Sequence, residues 1–600
     1  MPTLEFKGKQ FIYSHHLGVP FRELQVVPEK SLPAAGNEPS LDDNLIIQGD
    51  NLEALKALLP THAGKVDCIF IDPPYNTGEE KWCYNDNVRS PLMKEWLKKS
   101  ADPVDKEDLE RHDKWLCMMW PRISLLKELM SSRGSIWVTL DDHEPHRLRM
   151  LMDEVIGADK FVANIVWQHA VQGKGYSDIF SVHHNHIIVY GNEDFSFEGL
   201  DRTEEDNVNY ANPDNDPNGA WRLGDVRNAL YRPKLKYPLK TPSGKYIDSP
   251  ENGWRWKKET FEKKIASGEA LFVDDETRVI RKIYLKNQDK RAPETIWFAS
   301  EVGSTRHANT TLKNIFGGTS PFPTPKPVEL VSRILKLAAY EDSIVLDSFA
   351  GSGTTAHAVL EANKADDGNR RFVLVECENY ADEITAERVR RVVKGYSYTG
   401  TQREELHRES ISWSVFGNEK KHKKVMERIN SIEKRHCDKY DKITKKIKDD
   451  VLTVTGERAI KETAPGLGGS FTYCTLGEVI DVESLLTGEG MPSFEALARY
   501  VFYTATGQSL DRVGKPTADG LVGETELFRI HLLYKPDTSW LRSNDAALNA
   551  DRVAIIEAGN KHGKRAIVFA VAKFMSQKEL TTRRIEFCQL PYAVHRILGD

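Results

Sequence analysis

The chain lacks the marks of several protein classes. Its seven cysteines, Cys68, Cys83, Cys117, Cys377, Cys437, Cys474 and Cys588, are dispersed with no C-x-x-C pair, so neither a zinc ribbon nor a disulfide framework is indicated and a reducing, cytoplasmic setting is expected. No stretch approaches the roughly 18 unbroken apolar residues that span a bilayer. The opening MPTLEFKGKQFIYSHH has no apolar core behind a basic end, which argues against secretion and against a membrane role. An excess of positive charge is missing too: the formal net charge is -6. That argues against a chain that coats nucleic acid non-specifically and leaves room for a local basic patch. A chain of 600 residues is too long for one core, so roughly two to four domains are expected.

From Asn44 onward, apolar runs of strand length alternate with segments of helical period, the pattern of a doubly wound, largely parallel α/β sheet. Strands are expected at 44–48, 66–71, 135–140, 163–167 and 186–190, with helices at 51–59, 115–130 and 145–156. Between about 195 and 322 the texture changes to Asn, Asp, Pro, Gly and Trp, which reads as an inserted domain. Its stretch 227–245 carries Arg227, Arg232, Lys234, Lys236, Lys240 and Lys245, no acid, and the tyrosines Tyr231 and Tyr237. Such a mixture suits a phosphate backbone with bases stacked beside it, or a solvated loop face. The α/β rhythm then resumes with a helix at 326–339, a strand ending at Leu346, a helix at 354–362, a strand at 372–375 and a helix at 381–393. In 418–451, Val425, Ile429, Ile432, Ile443, Ile447 and Val451 fall near one helical face, which predicts a packing or dimer helix. Beyond Pro465, apolar runs at 553–556 and 565–570 predict strands of a small separate α/β domain.

Two loops carry the chemistry. Asp72-Pro73-Pro74-Tyr75 follows the run Cys68-Ile69-Phe70-Ile71, which puts a carboxylate at the carboxyl end of a strand, where open α/β sheets hold ligands. The two prolines stiffen the loop and leave carbonyl oxygens free to accept. An exocyclic amine could donate to Asp72 and to the Pro73 carbonyl, and Tyr75 offers a face on which a base can stack. A strand followed by a plain proline turn is the competing reading. The second loop is Phe349-Ala350-Gly351-Ser352-Gly353-Thr354-Thr355, glycines at a helix entrance that permit a tight turn and close approach to a ligand. The third glycine of a dinucleotide fingerprint is replaced by Ala356. Glu376, at the tip of the next strand, is placed to accept from ribose hydroxyls, with Glu378 as the competing choice. Asp50 and Asn51 begin a helix after the first strand, where Asp50 is equally an N-cap, and Asp347 precedes the glycine loop.

On these residues the chain resembles the β-class amino-group DNA methyltransferases, and among them the modification subunits of type III restriction-modification systems. Asp72 to Tyr75 matches the catalytic D-P-P-Y, followed by Asn76-Thr77-Gly78, and the glycine loop matches that for S-adenosylmethionine. Thr324-Pro325-Lys326-Pro327 looks like the segment covering the methionine end of the cofactor. Asn212 to Pro217, Thr295 to Phe298 and, less specifically, Glu586 to Tyr592 look like further pieces of such subunits. The resemblance implies a circularly permuted methyltransferase sheet, N6 of a flipped-out adenine in double-stranded DNA as target, and no metal. Adenine is favoured because cytosine-N4 enzymes of this kind usually carry Ser where Asp72 stands. It further implies a homodimer and a restriction subunit as partner, although solitary relatives occur. Cofactor ligands are then expected among Asp50, Asn51, Asp72, Lys326, Asp347, residues 349–355 and Glu376. The expected division is an N-terminal arm (1–43), a catalytic half (44–194), a target-recognition insert (195–322), a cofactor half (323–400), a charged helical connector (401–464) and a C-terminal α/β domain (465–600). A DNA-binding subunit with a vestigial site and a nicotinamide-dependent oxidoreductase are the rival classes.

Overall fold

Val-Asp-Cys-Ile-Phe-Ile is buried at all six positions of the strand Val66–Ile71, the continuous run expected of a parallel strand covered on both faces. In the computed structural model, which describes residues 3–78, 110–173, 180–197, 199–448, 450–480 and 491–590, this strand lies inside a ten-stranded sheet. Cys83, Pro591 and Tyr592 fall outside the described residues. In chain order the strands are β1 (Arg22–Val26), β2 (Leu45–Gln48), β3 (Val66–Ile71), β4 (Met130–Leu140), β5 (Phe161–Gln168), β6 (His184–Gly191), β7 (Ile296–Trp297), β8 (Ile344–Asp347), β9 (Arg371–Glu376) and β10 (Thr472–Val479). Across the sheet they run β1-β10-β2-β9-β8-β3-β4-β6-β5-β7. Neighbours from β10 to β4 are parallel, β6 is antiparallel to both β4 and β5, and β1 is antiparallel to β10. The sheet is mixed, with mostly parallel strands.

The consequence for function lies in β8, which pairs with β3 on one side and β9 on the other, Leu346 standing opposite Ile69 and Val373. The two loops are roughly 270 residues apart in the chain and leave the carboxyl ends of adjacent strands. The helices that serve them are α1 (Asn51–His62), α2 (Arg111–Leu129), α3 (Val328–Ala338), α4 (Thr354–Asp366) and α5 (Glu387–Lys394). Among the described residues no helix is long and apolar enough to cross a membrane.

Several expectations are corrected. The predicted helix over 418–451 stops at His436 (Glu419–His436) and is followed by strands Lys442–Lys448 and Val451–Pro465. Ile443 and Ile447 are four apart, a spacing that shares a face on a strand as well as on a helix. The supposed helical connector 401–464 is mainly a three-stranded antiparallel sheet, in which Gly395–Ser410 and Lys442–Lys448 flank Val451–Pro465. The predicted strand at 553–556 is part of the helix Ala550–Gly559, capped by the Asn549 side chain, with Val553 and Ile556 on its buried side. Residues 465–600 do not stand apart: β10 is an interior strand of the large sheet, and Leu497, Val501 and Phe569 join the same hydrophobic core as Leu52 and Ile69. Nor is 1–43 a free arm, because β1 extends that sheet.

The compact unit between β6 and β7 is Phe197–Glu294, not 195–322. Aromatic-rich sequence beyond it belongs to the edge of the large sheet, where Trp297 of β7 stacks on Trp137 with ring centroids 6.4 Å apart. Within the unit, Arg278–Tyr284 is the central strand of an antiparallel sheet with Trp221–Gly224 and Ala270–Val273. Val226, Leu239, Trp254 and Phe261 form its core. Buried Lys282 is neutralised by Asp214 and Asp216 and lies over Trp221, which explains the acid-rich turn at 214–216.

Candidate functional site

Asp72 sits just past β3 with both carboxylate oxygens engaged. Oδ1 accepts from Thr139 Oγ1 at 2.5 Å, and Oδ2 is paired with the Lys326 ammonium. Burial alone would lower the Lys326 ammonium, yet Asp72 and Tyr75 outweigh it and hold the group above the usual lysine range. The same ammonium lies 5.2 Å from the centre of the Tyr75 ring. Pro73 is buried, and the Pro74 carbonyl accepts from Trp115 Nε1 at 2.7 Å. The Tyr75 hydroxyl lies 3.4 Å from both Thr139 Oγ1 and Asn185 Nδ2, and burial keeps it protonated by raising its pKa well above the usual phenol value. Asn76 then takes a left-handed backbone, φ 62°. Its amide donates to the fully buried Glu144 at 2.5 Å.

The glycine loop turns at Gly351 and Gly353, with φ 50° and 75°. A side chain at Gly353 would meet the Thr385 carbonyl at 3.0 Å, and one at Gly351 the Phe322 ring at 3.1 Å, so only glycine fits. The Ala350 N–H donates to Val375 O at 3.1 Å, the Thr385 hydroxyl donates to Gly351 O at 2.6 Å, and Phe349 packs against the core. Arg388 on α5, 1% exposed, donates to Ser352 O, Ser352 Oγ and Thr354 Oγ1. Burial lowers its guanidinium to about 10.

Acids crowd these strand ends. Burial pushes the Asp347 carboxyl up to about 7, against hydrogen bonds from Thr355 Oγ1 (2.6 Å) and Phe349 N (3.0 Å) that favour its charged form. Burial also raises Glu376, whose oxygens accept from Gly351 N at 2.7 Å and Glu378 N at 3.0 Å. Glu378 is exposed, so Glu376 is the carboxylate that touches the loop. Asp50 caps α1, accepting from Leu52 N and Glu53 N, while the Asn51 amide donates to Ser348 O and accepts from Arg122.

The structure therefore brings Asp72, Tyr75, Lys326, Asp347, residues 349–355 and Glu376 to one end of the sheet, with Asp50 and Asn51 beside them. Lys326, expected among the cofactor ligands, has its ammonium on the Asp72 carboxylate of the first loop. Arg227, Arg232, Lys234, Lys236, Lys240 and Lys245 are all exposed on the separate unit, although Arg227 is paired with Asp225 at 2.8 Å. Tyr231 is 61% exposed, but Tyr237 packs against that unit's core and is no stacking platform. Sequence reasoning missed Thr139, Asn185, Glu144 and Arg388. The one available signal was a polar Thr139 interrupting the apolar run of β4.

A family model described as DNA methylase matches residues 66–388. The chain is similar to the type III restriction-modification enzyme StyLTI Mod subunit of Salmonella typhimurium, with 31% identity over 377 residues covering 58% of this chain and 57% of that protein. It is likewise similar to the EcoPI Mod subunit of Escherichia phage P1, 31% identical over 435 residues covering 62% and 66% respectively. The chain thus spans less than two thirds of the length of these relatives. Among solved structures, a cytosine-N4-specific PvuII DNA methyltransferase aligns over 59% of this chain and 89% of its own, at 11% identity and a TM-score of 0.31.

Proposed function

The chain belongs to the DNA methylase family, and from that premise we propose that it is an S-adenosylmethionine-dependent DNA methyltransferase acting on N6 of adenine in a short recognition sequence. The observation that carries this reading is the bridge made by Lys326. Its carbonyl accepts from Thr354 of the glycine loop at 3.2 Å while its ammonium holds Asp72, so the two loops form one site.

S-adenosylmethionine, when bound, supplies an electrophilic methyl group on a sulfonium centre. The residues fit such a cation: Asp72, Asp347, Glu376 and Asp50 follow or end the adjacent strands β3, β8, β9 and β2. Glu376 is an acceptor for ribose hydroxyls, and the buried Ser348 Oγ has no partner among the described residues. On the base side, Asp72 and the Pro73 carbonyl would each accept from the exocyclic amine, turning its lone pair away from them. Thr139 fixes the plane of the Asp72 carboxylate, and Tyr75 offers its ring to the extruded base once the Lys326 ammonium moves off it. The site then works by positioning and electrostatics.

We read the order of elements, β3 before β8, as a circular permutation of the methyltransferase sheet, and Phe197–Glu294 as the target-recognition domain, its exposed Arg and Lys meeting phosphates. The similarity to Mod subunits supports a modification subunit with a restriction partner, and we further propose that it works as a homodimer in the cytoplasm. Transfer of labelled methyl to DNA followed by nucleoside analysis should give N6-methyladenine; methylcytosine as the sole product would overturn the adenine assignment.

A further inference from the structure

On the far side of the Tyr75 mount, three side chains that the transfer chemistry does not use converge. His184 and His186 are two apart on β6, so they share a face, and their rings meet edge to face with centroids 5.2 Å apart. Asp142, just past the end of β4, reaches both: its Oδ1 lies 3.0 Å from His186 Nε2 and 3.6 Å from His184 Nε2. The ligand atoms of all three lie within 4.8 Å of one another. A tetrahedral ion with bonds of about 2.0 Å asks for ligand atoms roughly 3.3 Å apart, so small side-chain movements close the set.

The second observation is the orientation of His186. Its Nδ1 lies 3.1 Å from the Asn164 amide oxygen on the neighbouring strand β5, and that oxygen only accepts, so Nδ1 carries the proton. Nε2 then faces the Asp142 carboxylate oxygen at 3.0 Å, a gap that a proton on Nε2 or a metal ion between the two atoms would fill. An outer hydrogen bond from the second ring nitrogen is the usual way a metal-ligating histidine is oriented.

We propose that Asp142, His184 and His186 form a site for a divalent transition-metal ion of the Zn²⁺ type, with a fourth position open to water. Two imidazoles and one carboxylate suit Zn²⁺, whereas Mg²⁺ prefers oxygen ligands. Its role is structural. Asn185, between the two histidines, holds the Tyr75 hydroxyl on the other face, and Glu144, two residues after Asp142, holds Asn76. An ion joining β4 to β6 therefore stiffens both mounts of the loop Asp72 to Asn76.

The test uses the full chain stripped with a chelator, then equilibrium dialysis against Zn²⁺ alone and, separately, Mg²⁺ alone. One Zn²⁺ per chain is expected, with no comparable Mg²⁺ uptake. Asp142→Asn, a change at a side chain 55% exposed and so safe for folding, and His184→Ala should each abolish the site. Asn164→Ala should weaken Zn²⁺ about 10- to 100-fold. Exposed Cys377 and Cys437 are alternative ligands, so Zn²⁺ uptake that survives both Asp142→Asn and His184→Ala overturns the proposal. So does absence of uptake by the wild-type chain, which would leave a protonated histidine pair on Asp142, and so does equal affinity for Mg²⁺.

Discussion

Replacing Asp347 by asparagine isolates the electrostatics of the glycine loop. Asp347 is 3% exposed, and burial lifts its carboxyl from the ordinary 3.8 to about 7. Between those values the folded chain keeps a proton that the unfolded chain has released. Stability therefore falls as pH rises from about 4 to about 7 and levels off above, where both states are ionised. The full drop is roughly 4 kcal/mol. Asparagine cannot ionise. It keeps an oxygen to accept from Thr355 Oγ1 but turns an NH₂ toward the Phe349 N–H, losing one hydrogen bond at about 1 kcal/mol. At pH 8 the variant should be more stable around this loop by roughly 3 kcal/mol, and at pH 4 less stable by about 1 kcal/mol. The readout is amide hydrogen exchange of β8 and the loop after it, corrected for intrinsic rates, because a multidomain chain has no single unfolding free energy. Protection should fall from pH 5 to pH 8 in the wild type and stay level in Asp347→Asn. Parallel profiles would refute the claim that folding loads a proton onto this carboxyl.

Asp72→Ala should cut methyl transfer by about 10²-fold or more while DNA affinity stays within about twofold; transfer rates and filter binding decide, and persistent transfer removes Asp72 from the mechanism. Arg388→Met deletes the buried donors to Ser352 and Thr354, with hydrogen bonds to charged groups worth about 1.5–3 kcal/mol. Calorimetric titration should show S-adenosylmethionine bound roughly 10- to 100-fold more weakly, and unchanged affinity would mean that the loop holds its shape without Arg388. If Lys234 and Lys236 neutralise phosphates, each change to alanine should lower the slope of log affinity against log salt by about 1; an unchanged slope in fluorescence anisotropy places the DNA elsewhere.

How much of this was legible in the sequence depended on whether a residue's role is local. Cys68-Ile69-Phe70-Ile71 and Ile344-Val345-Leu346 are unbroken apolar runs, so their strands, and the loops that must follow them, could be read directly. That β3 and β8 are neighbours could be expected only through resemblance to a known order of motifs. Lys326 on Asp72 is a contact across 254 positions, and nothing in the spacing of Thr324-Pro325-Lys326-Pro327 reports it. Arg388 is hidden for a different reason: in Glu-Arg-Val-Arg-Arg-Val it looks like its neighbours Arg390 and Arg391, and only the packed helix shows that one of the three points inward. The errors at 443–451 and 553–556 came from short apolar patterns whose spacing suits both periods; the first was resolved by hairpin pairing with Val451–Pro465 and the second by helix packing that buries Val553 and Ile556.

The placement of charge ties the chemistry to the division of the chain. Four carboxylates, those of Asp50, Asp72, Asp347 and Glu376, stand at adjacent strand ends, and the cations paired with two of them are Lys326 on Asp72 and Arg122 beside Asp50. Such a cluster repels a polyanion and attracts a cation, and within it the Asp72 and Glu376 charges add to burial in raising the Asp347 carboxyl. A site of this sign suits a sulfonium cofactor and a neutral base, and it is poorly suited to phosphates. On the proposed function, DNA backbone contacts fall to surfaces of the opposite sign, and the acid-free stretch from Arg227 to Lys245, exposed at all six of its basic residues, is the surface we propose for them. A net charge of -6 is thus compatible with the proposed DNA enzyme, because the carboxylate cluster at the strand ends and the acid-free basic stretch lie in separate compact units.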